Sequence, residues 1–178
     1  MKSRVTVLAA LSWLVAATPA AAQKPGSVEI GGFARFTDYD NSLPIFNGLG
    51  VGGRVAVQAL PRLGVEANYS STSSEGVKHT PLRVLAVYTV PADPKTALLV
   101  GGGYVRNKYT GAYDATDSGI SGFVGVRYRV GNMLALRLDG GEDFVWNPAN
   151  SSFQSAFNGN WGVSAGLSVL LNQGSRSQ

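Results

Sequence analysis

The sequence contains no cysteine and one histidine, His79. A disulfide framework is therefore excluded, a Cys–His catalytic pair is impossible, and a zinc site would lack most of its usual ligands. Long apolar runs are scarce as well. Val5 to Ala17, broken only by Thr6 and Ser12, is the longest, and it is shorter than the roughly 20 residues a spanning helix requires. Helical periodicity is missing from everything that follows it. Charge of one sign is also lacking. With Lys2 and Arg4 set aside, 13 basic residues stand against 11 acidic ones, a balance that does not suit nucleic acid.

What is present begins with a leader pattern. Lys2 and Arg4 precede the apolar run, Pro19 ends it, and Ala20-Ala21-Ala22 supplies small residues where a signal peptidase cuts. Residues 1–22 read as a cleaved secretory signal peptide, 23–171 as one domain, and 172–178 as a short polar C-terminal tail. Cleavage after Ala22 leaves 156 of the 178 residues, a length that suits a single domain. Many of the 23 glycines lie inside β-like segments. Soluble sheets tolerate few interior glycines, whereas small barrels need them for curvature and close approach.

Alternation at period two occurs eight times, over 27–37, 48–59, 63–72, 81–90, 96–107, 119–130, 133–146 and 160–171. The last segment is the clearest, with Trp161, Val163, Ala165, Leu167, Val169 and Leu171 on one parity. The opposite parity of the eight segments carries Glu29, Arg35, Arg54, Glu66, Arg83, Arg127, Arg129, Arg137, Asp139 and Asp143. Parity alone does not say which face is inside, and a soluble barrel would reverse the two. The connections decide it. Leu60–Arg62, Pro91–Lys95 and Gly131–Asn132 read as short turns, while 38–47, 71–80, 108–118 and 147–159 read as long polar loops, the arrangement of a membrane barrel. With the first strand running outward, Phe36, Tyr69, Tyr104, Phe144, Trp146 and Trp161 fall near the loop side and Tyr88 and Tyr128 near the turn side. Those positions form two interfacial belts. The expected fold is an all-β, eight-stranded antiparallel up-and-down transmembrane β-barrel with its charges enclosed. Phe33, Leu85, Val87 and Leu99 are then inward apolar exceptions, and Arg106 and Glu142 outward charged ones. A bulge after Gly140-Gly141 is expected to turn Glu142 away.

The stretch Glu29-Ile30-Gly31-Gly32-Phe33-Ala34-Arg35-Phe36-Thr37-Asp38-Tyr39-Asp40, with the final Gly159-Asn160-Trp161-Gly162-Val163-Ser164-Ala165-Gly166-Leu167, resembles the outer-membrane β-barrel family that includes the OmpA-type transmembrane domain. The resemblance implies residence in the bacterial outer membrane, contact with its lipid, and handling by the barrel-assembly machinery during biogenesis. It also implies that Ser164, Gly166, Val169 and Leu171 form the assembly signal. This sequence departs from many relatives in ending that signal on Leu171 rather than an aromatic. No peptidoglycan-binding domain is expected after the barrel, so the resemblance does not imply wall tethering.

Chemistry is sparse. Eight strands enclose a lumen just wide enough for side chains, so the inward charges are expected to pair and fill it, Arg54 facing Glu66 and Arg127 lying near Arg137 and Asp139. His79, read as a loop residue beside Ser73 and Ser74, has no recognisable catalytic spacing. Asp38, Asp40, Asp114 and Asp117 do not match a calcium loop. Gly101-Gly102-Gly103 lacks the remainder of a phosphate loop and reads as a bend or a place where a large neighbour packs. The expected protein is a monomer without cofactor, metal or nucleic-acid partner, and not an enzyme. Its role is structural or interactive. The alternatives are a narrow pore for small solutes and a soluble lipocalin-like ligand-binding barrel of the periplasm.

Overall fold

The structure is a computed structural model that describes residues 24–39, 45–112, 114–145 and 158–171. The expected signal peptide, the C-terminal tail and Trp146 lie outside the described residues. Eight strands follow one another: β1 (Val28–Asp38), β2 (Gly48–Gln58), β3 (Leu63–Ser74), β4 (Val77–Pro91), β5 (Thr96–Gly111), β6 (Ala115–Val130), β7 (Leu134–Val145) and β8 (Asn158–Leu171). Each pairs antiparallel with the next. β8 returns to β1 in continuous register from Val28↔Leu171 to Asp38↔Trp161, closing the sheet into a barrel.

The barrel is inside out relative to a soluble one. Leu134, Leu136, Val163 and Leu167 are 41–50% exposed, whereas Arg54, Arg127 and Asp139 are 4–5% exposed. Branched and aromatic side chains stabilise each strand by packing on a pleated surface. Here that surface looks outward, which excludes the lipocalin-like alternative. Phe33, Leu85, Val87 and Leu99 are buried inside. Arg106 points outward, as does Glu142 in half-buried form. No bulge accompanies Glu142. The β6–β7 register runs unbroken through Gly140↔Val124, Gly141↔Phe123 and Glu142↔Gly122, so Glu142 faces outward by simple alternation.

The short turns are built by local hydrogen bonding. The Asp93 carboxylate accepts from the backbone N–H groups of Lys95 (2.7 Å) and Thr96 (2.8 Å). The Thr96 hydroxyl and these two amides hold its pKa below the ordinary carboxylate value. At the opposite end two expected loops turn out to be strand. β3 and β4 meet at Glu75 (φ 47°) and Gly76 (φ 79°), a two-residue turn whose left-handed backbone suits a hairpin. β5 and β6 likewise extend to Gly111 and from Ala115. The two tips are joined, the Ala112 N–H donating to the Gly76 carbonyl at 3.0 Å. Segments 71–80 and 108–118 read as loops because both of their faces are largely polar. Their outer face stands above the hydrocarbon, beyond the reach of the apolar parity that marks the lower strands.

Candidate functional site

Alternation along closed strands aims one residue in two at the barrel axis. Nine of the ten charged residues expected there are buried: Glu29, Arg35, Arg54, Glu66, Arg83, Arg127, Arg137, Asp139 and Asp143. Arg129, at the turn-side end of β6, is half-buried. Arg137 is the hub. Its Nη1 donates to Glu66 Oε2 at 2.6 Å, its Nε to Asp139 Oδ1 at 2.8 Å, and Glu29 Oε1 lies 3.9 Å from Nη1. Arg54 Nη1 donates to Asp139 Oδ2 at 2.7 Å and Arg127 Nη1 to Glu29 Oε2 at 2.9 Å. Arg83 holds Asp143 with Nε at 2.9 Å and with Nη2 on the other oxygen. Each buried arginine in these pairs thus meets a carboxylate, the condition under which enclosed charge is tolerable.

The partners differ from those expected. Arg54 pairs with Asp139 rather than Glu66, and Arg127 pairs with Glu29 although Arg137 lies directly opposite it on β7. Neighbouring strands bring Arg54 opposite Asn68 and Glu66 opposite Ala56, a mismatch of two residues. The bonds therefore cross the lumen, from β2, β3 and β4 to β7 and from β1 to β6. Two rings fill the spaces between. The Arg54 guanidinium lies 4.7 Å from the Phe33 ring centroid and that of Arg137 lies 5.0 Å from Phe123. Glycine makes this possible, since a Cβ at Gly101 would collide with the Phe123 ring. Two of the spaces left among these side chains are partly open pockets of about 30 Å³ and about 20 Å³, each room for about one water.

Above the ions, at the loop side, sits a second cluster. His79 is buried on β4 rather than lying in a loop. Its Nδ1 is 2.9 Å from the Tyr39 hydroxyl and its Nε2 is 3.1 Å from Asn107 Oδ1. Tyr109 stacks on the imidazole at 4.7 Å between centroids, and Tyr39 meets it edge-on at 5.2 Å. Both ring nitrogens are engaged, and among the described residues no serine hydroxyl is bonded to either. Tyr39, Asn107 and Tyr109 were not singled out from the sequence. The signal for them was the parity Val77, His79, Pro81, Arg83, which continues unbroken from the loop-side turn into the charged interior.

A family model, described as outer membrane protein beta-barrel domain, matches residues 6–168. The chain belongs to this outer-membrane barrel family. Solved structures agree in fold. Neisserial surface protein A superposes with a TM-score of 0.68 at 14% identity, covering 81% of this chain and 98% of that one. The N-terminal β-barrel domain of OprF from Pseudomonas aeruginosa gives 0.63 at 13%, covering 84% and 100%. OprG from the same organism gives 0.59 at 13%, covering 85% and 98%. No curated protein matches the chain.

Within this membrane barrel the expected aromatic belt positions Phe36, Tyr69, Tyr88, Tyr104, Tyr128 and Trp161 are all exposed on the outer face. The Trp161 indole N–H donates to Asp38 Oδ2 at 2.6 Å, and its ring meets Phe36 edge-on at 6.4 Å. The Tyr104 hydroxyl lies 2.8 Å from Ser118 Oγ. Of the residues matching the assembly signal, Ser164 is buried and Gly166 faces inward, while Val169 and Leu171 face outward. Gly166 has a packing reason of its own: a Cβ there would come within 2.8 Å of Phe33 Cβ across the β1–β8 seam.

Proposed function

We propose that this chain is a small bacterial outer-membrane protein with a structural or interactive role, its lumen closed by paired charges rather than open to solutes. One observation carries the reading. Arg54, Arg83, Arg127 and Arg137 bond across the barrel axis to carboxylates of facing strands, and two pockets found among the inward side chains hold about 30 and about 20 Å³. A hydrated solute finds no continuous path through such a packing, and an eight-stranded lumen is narrow to begin with. The protein is not an enzyme: its single histidine is spent on Tyr39 and Asn107. Lipid surrounds the apolar face, and Ser164, Gly166, Val169 and Leu171 present the chain to the assembly machinery. The barrel works as a monomer, with the projecting loop-side hairpins as its contact surface.

Planar-bilayer recording of the detergent-folded protein tests the closed lumen. The expected result is a quiet membrane at concentrations where a porin gives steps. Reproducible single-channel openings would replace this reading by a narrow pore.

A further inference from the structure

The outer surface of the loop-side projection is charged on one sector. Outward residues of β5 run Leu98, Val100, Gly102, Tyr104, Arg106, Lys108, Thr110, passing from apolar through an aromatic ring to two cations. Outward positions on one strand are about 7 Å apart, so Arg106 stands one such step beyond Tyr104. The register sets Arg106 between Leu82 and Ser118, Lys108 between Thr80 and Thr116, and Lys78 beside Thr110. Lys78 is therefore diagonal to Lys108, about 7–8 Å away. All three cations are exposed, and no ion pair engages them among the described residues.

Acidic groups flank this sector at its tip and lie elsewhere below it. Glu75 is exposed in the β3–β4 turn, three residues before Lys78. Asp117, on the neighbouring strand, is buried inside the barrel. Asp114, near the tip, accepts from the Gly111 N–H at 3.2 Å. The outward rim of the opposite sector carries Asp38 and Glu142 flanking Trp161. The rim as a whole is thus not basic; one face of it is. Three like charges at neighbouring positions repel one another unless an anion stands among them. The layer just beyond the interfacial rings of a membrane protein is the headgroup layer, and headgroups offer phosphate at that depth.

We propose that Lys78, Arg106 and Lys108, flanked by the hydroxyls of Thr80, Thr110, Thr116 and Ser118, form a binding site for phosphorylated lipid headgroups in the loop-side leaflet. The inference rests on the loop-side end of the barrel standing at a lipid boundary. The site selects a phosphate monoester or another multiply charged phosphate over a zwitterionic headgroup, because its three outward cations outnumber the nearby tip carboxylates, Glu75 and Asp114.

Native mass spectrometry of the barrel folded in octyl glucoside tests it, with phosphatidic acid and phosphatidylcholine as the probes. The wild-type protein is expected to retain phosphatidic acid in preference. The triple variant Lys78→Gln/Arg106→Gln/Lys108→Gln is expected to lose that affinity by roughly fivefold for each cation removed. Arg62→Gln/Lys95→Gln, which removes turn-side cations, is expected to bind as wild type. Equal losses in the two variants, or none in the triple, overturn the site. Displacement of the lipid by an equal concentration of inorganic phosphate also overturns it, because a free-ion site would then explain the binding. Heat-modifiable gel migration monitors closure, and Lys108→Gln alone serves if the triple variant does not fold. Failure of the membrane reading would appear separately, as wild-type protein that does not insert into phosphatidylcholine vesicles.

Discussion

At the scale of single residues, the interior of this barrel is shaped as much by missing side chains as by present ones. Gly101 and Gly102 are neighbours in sequence and opposites in space. A Cβ on inward Gly101 would strike the Phe123 ring, whereas one on outward Gly102 would meet the Ser121 carbonyl at an ordinary 3.6 Å. Gly101→Ala is therefore expected to cost about 1–3 kcal/mol through overpacking. Gly102→Ala is expected to stay within about 0.5 kcal/mol of wild type. Urea unfolding of the vesicle-inserted barrel compares them, and equal effects would contradict the interior packing of Phe123. The triplet Gly101-Gly102-Gly103 could be read in the sequence as a place where something large packs. Which residue packs there could not, because Phe123 arrives from the next strand through a register that composition does not reveal.

At the scale of elements, strands of unequal length do two jobs. β1 and β2 have 11 residues each, close to the 9–11 that cross a bilayer. β4, β5 and β6 have 15 or 16, so about a third of each projects beyond it. The lipid-crossing part was legible because Leu82, Val84, Ala86, Tyr88 and Val90 alternate with Arg83 and Thr89 against an apolar solvent. The projecting part was not, because the polar surroundings above the hydrocarbon make no such demand on Ser71, Ser73, Lys78 or Thr80, and polar strand then resembles loop. One strand provides the test. Val126 and Thr116 both face outward on β6, the first within the lipid belt and the second above it. Val126→Arg is expected to lower unfolding stability in vesicles by about 2–4 kcal/mol. Thr116→Arg, above the hydrocarbon, is expected to leave it within about 0.5 kcal/mol. Comparable losses would mean that the belt has been placed at the wrong height.

At the scale of the whole molecule, the ladder and the ion network solve different problems. Backbone pairing joins each strand only to its neighbours, so the circumference is fixed by eight local seams. Nothing in those seams prevents the cylinder from flattening. Arg54–Asp139, Glu66–Arg137, Arg83–Asp143 and Glu29–Arg127 connect strands three or four apart around the wall and hold it open to one diameter. That the charges face inward was readable from their parity. Their pairing was not, since it depends on closure and crosses an axis that no local pattern marks. Arg137 is where the ties converge, so Arg137→Met is expected to leave the Glu66 and Asp139 carboxylates short of partners inside the barrel. The loss should be about 3–5 kcal/mol, as when one member of a buried pair is removed. Arg129, half-buried near the turn end, belongs to the same parity but to a wetter site, and Arg129→Met is expected to cost about 1 kcal/mol or less. The comparison is made by urea titration in vesicles, with heat-modifiable migration confirming that each variant closed. If Arg137→Met proves as mild as Arg129→Met, the ions merely occupy the lumen, and the backbone ladder alone determines the barrel's shape.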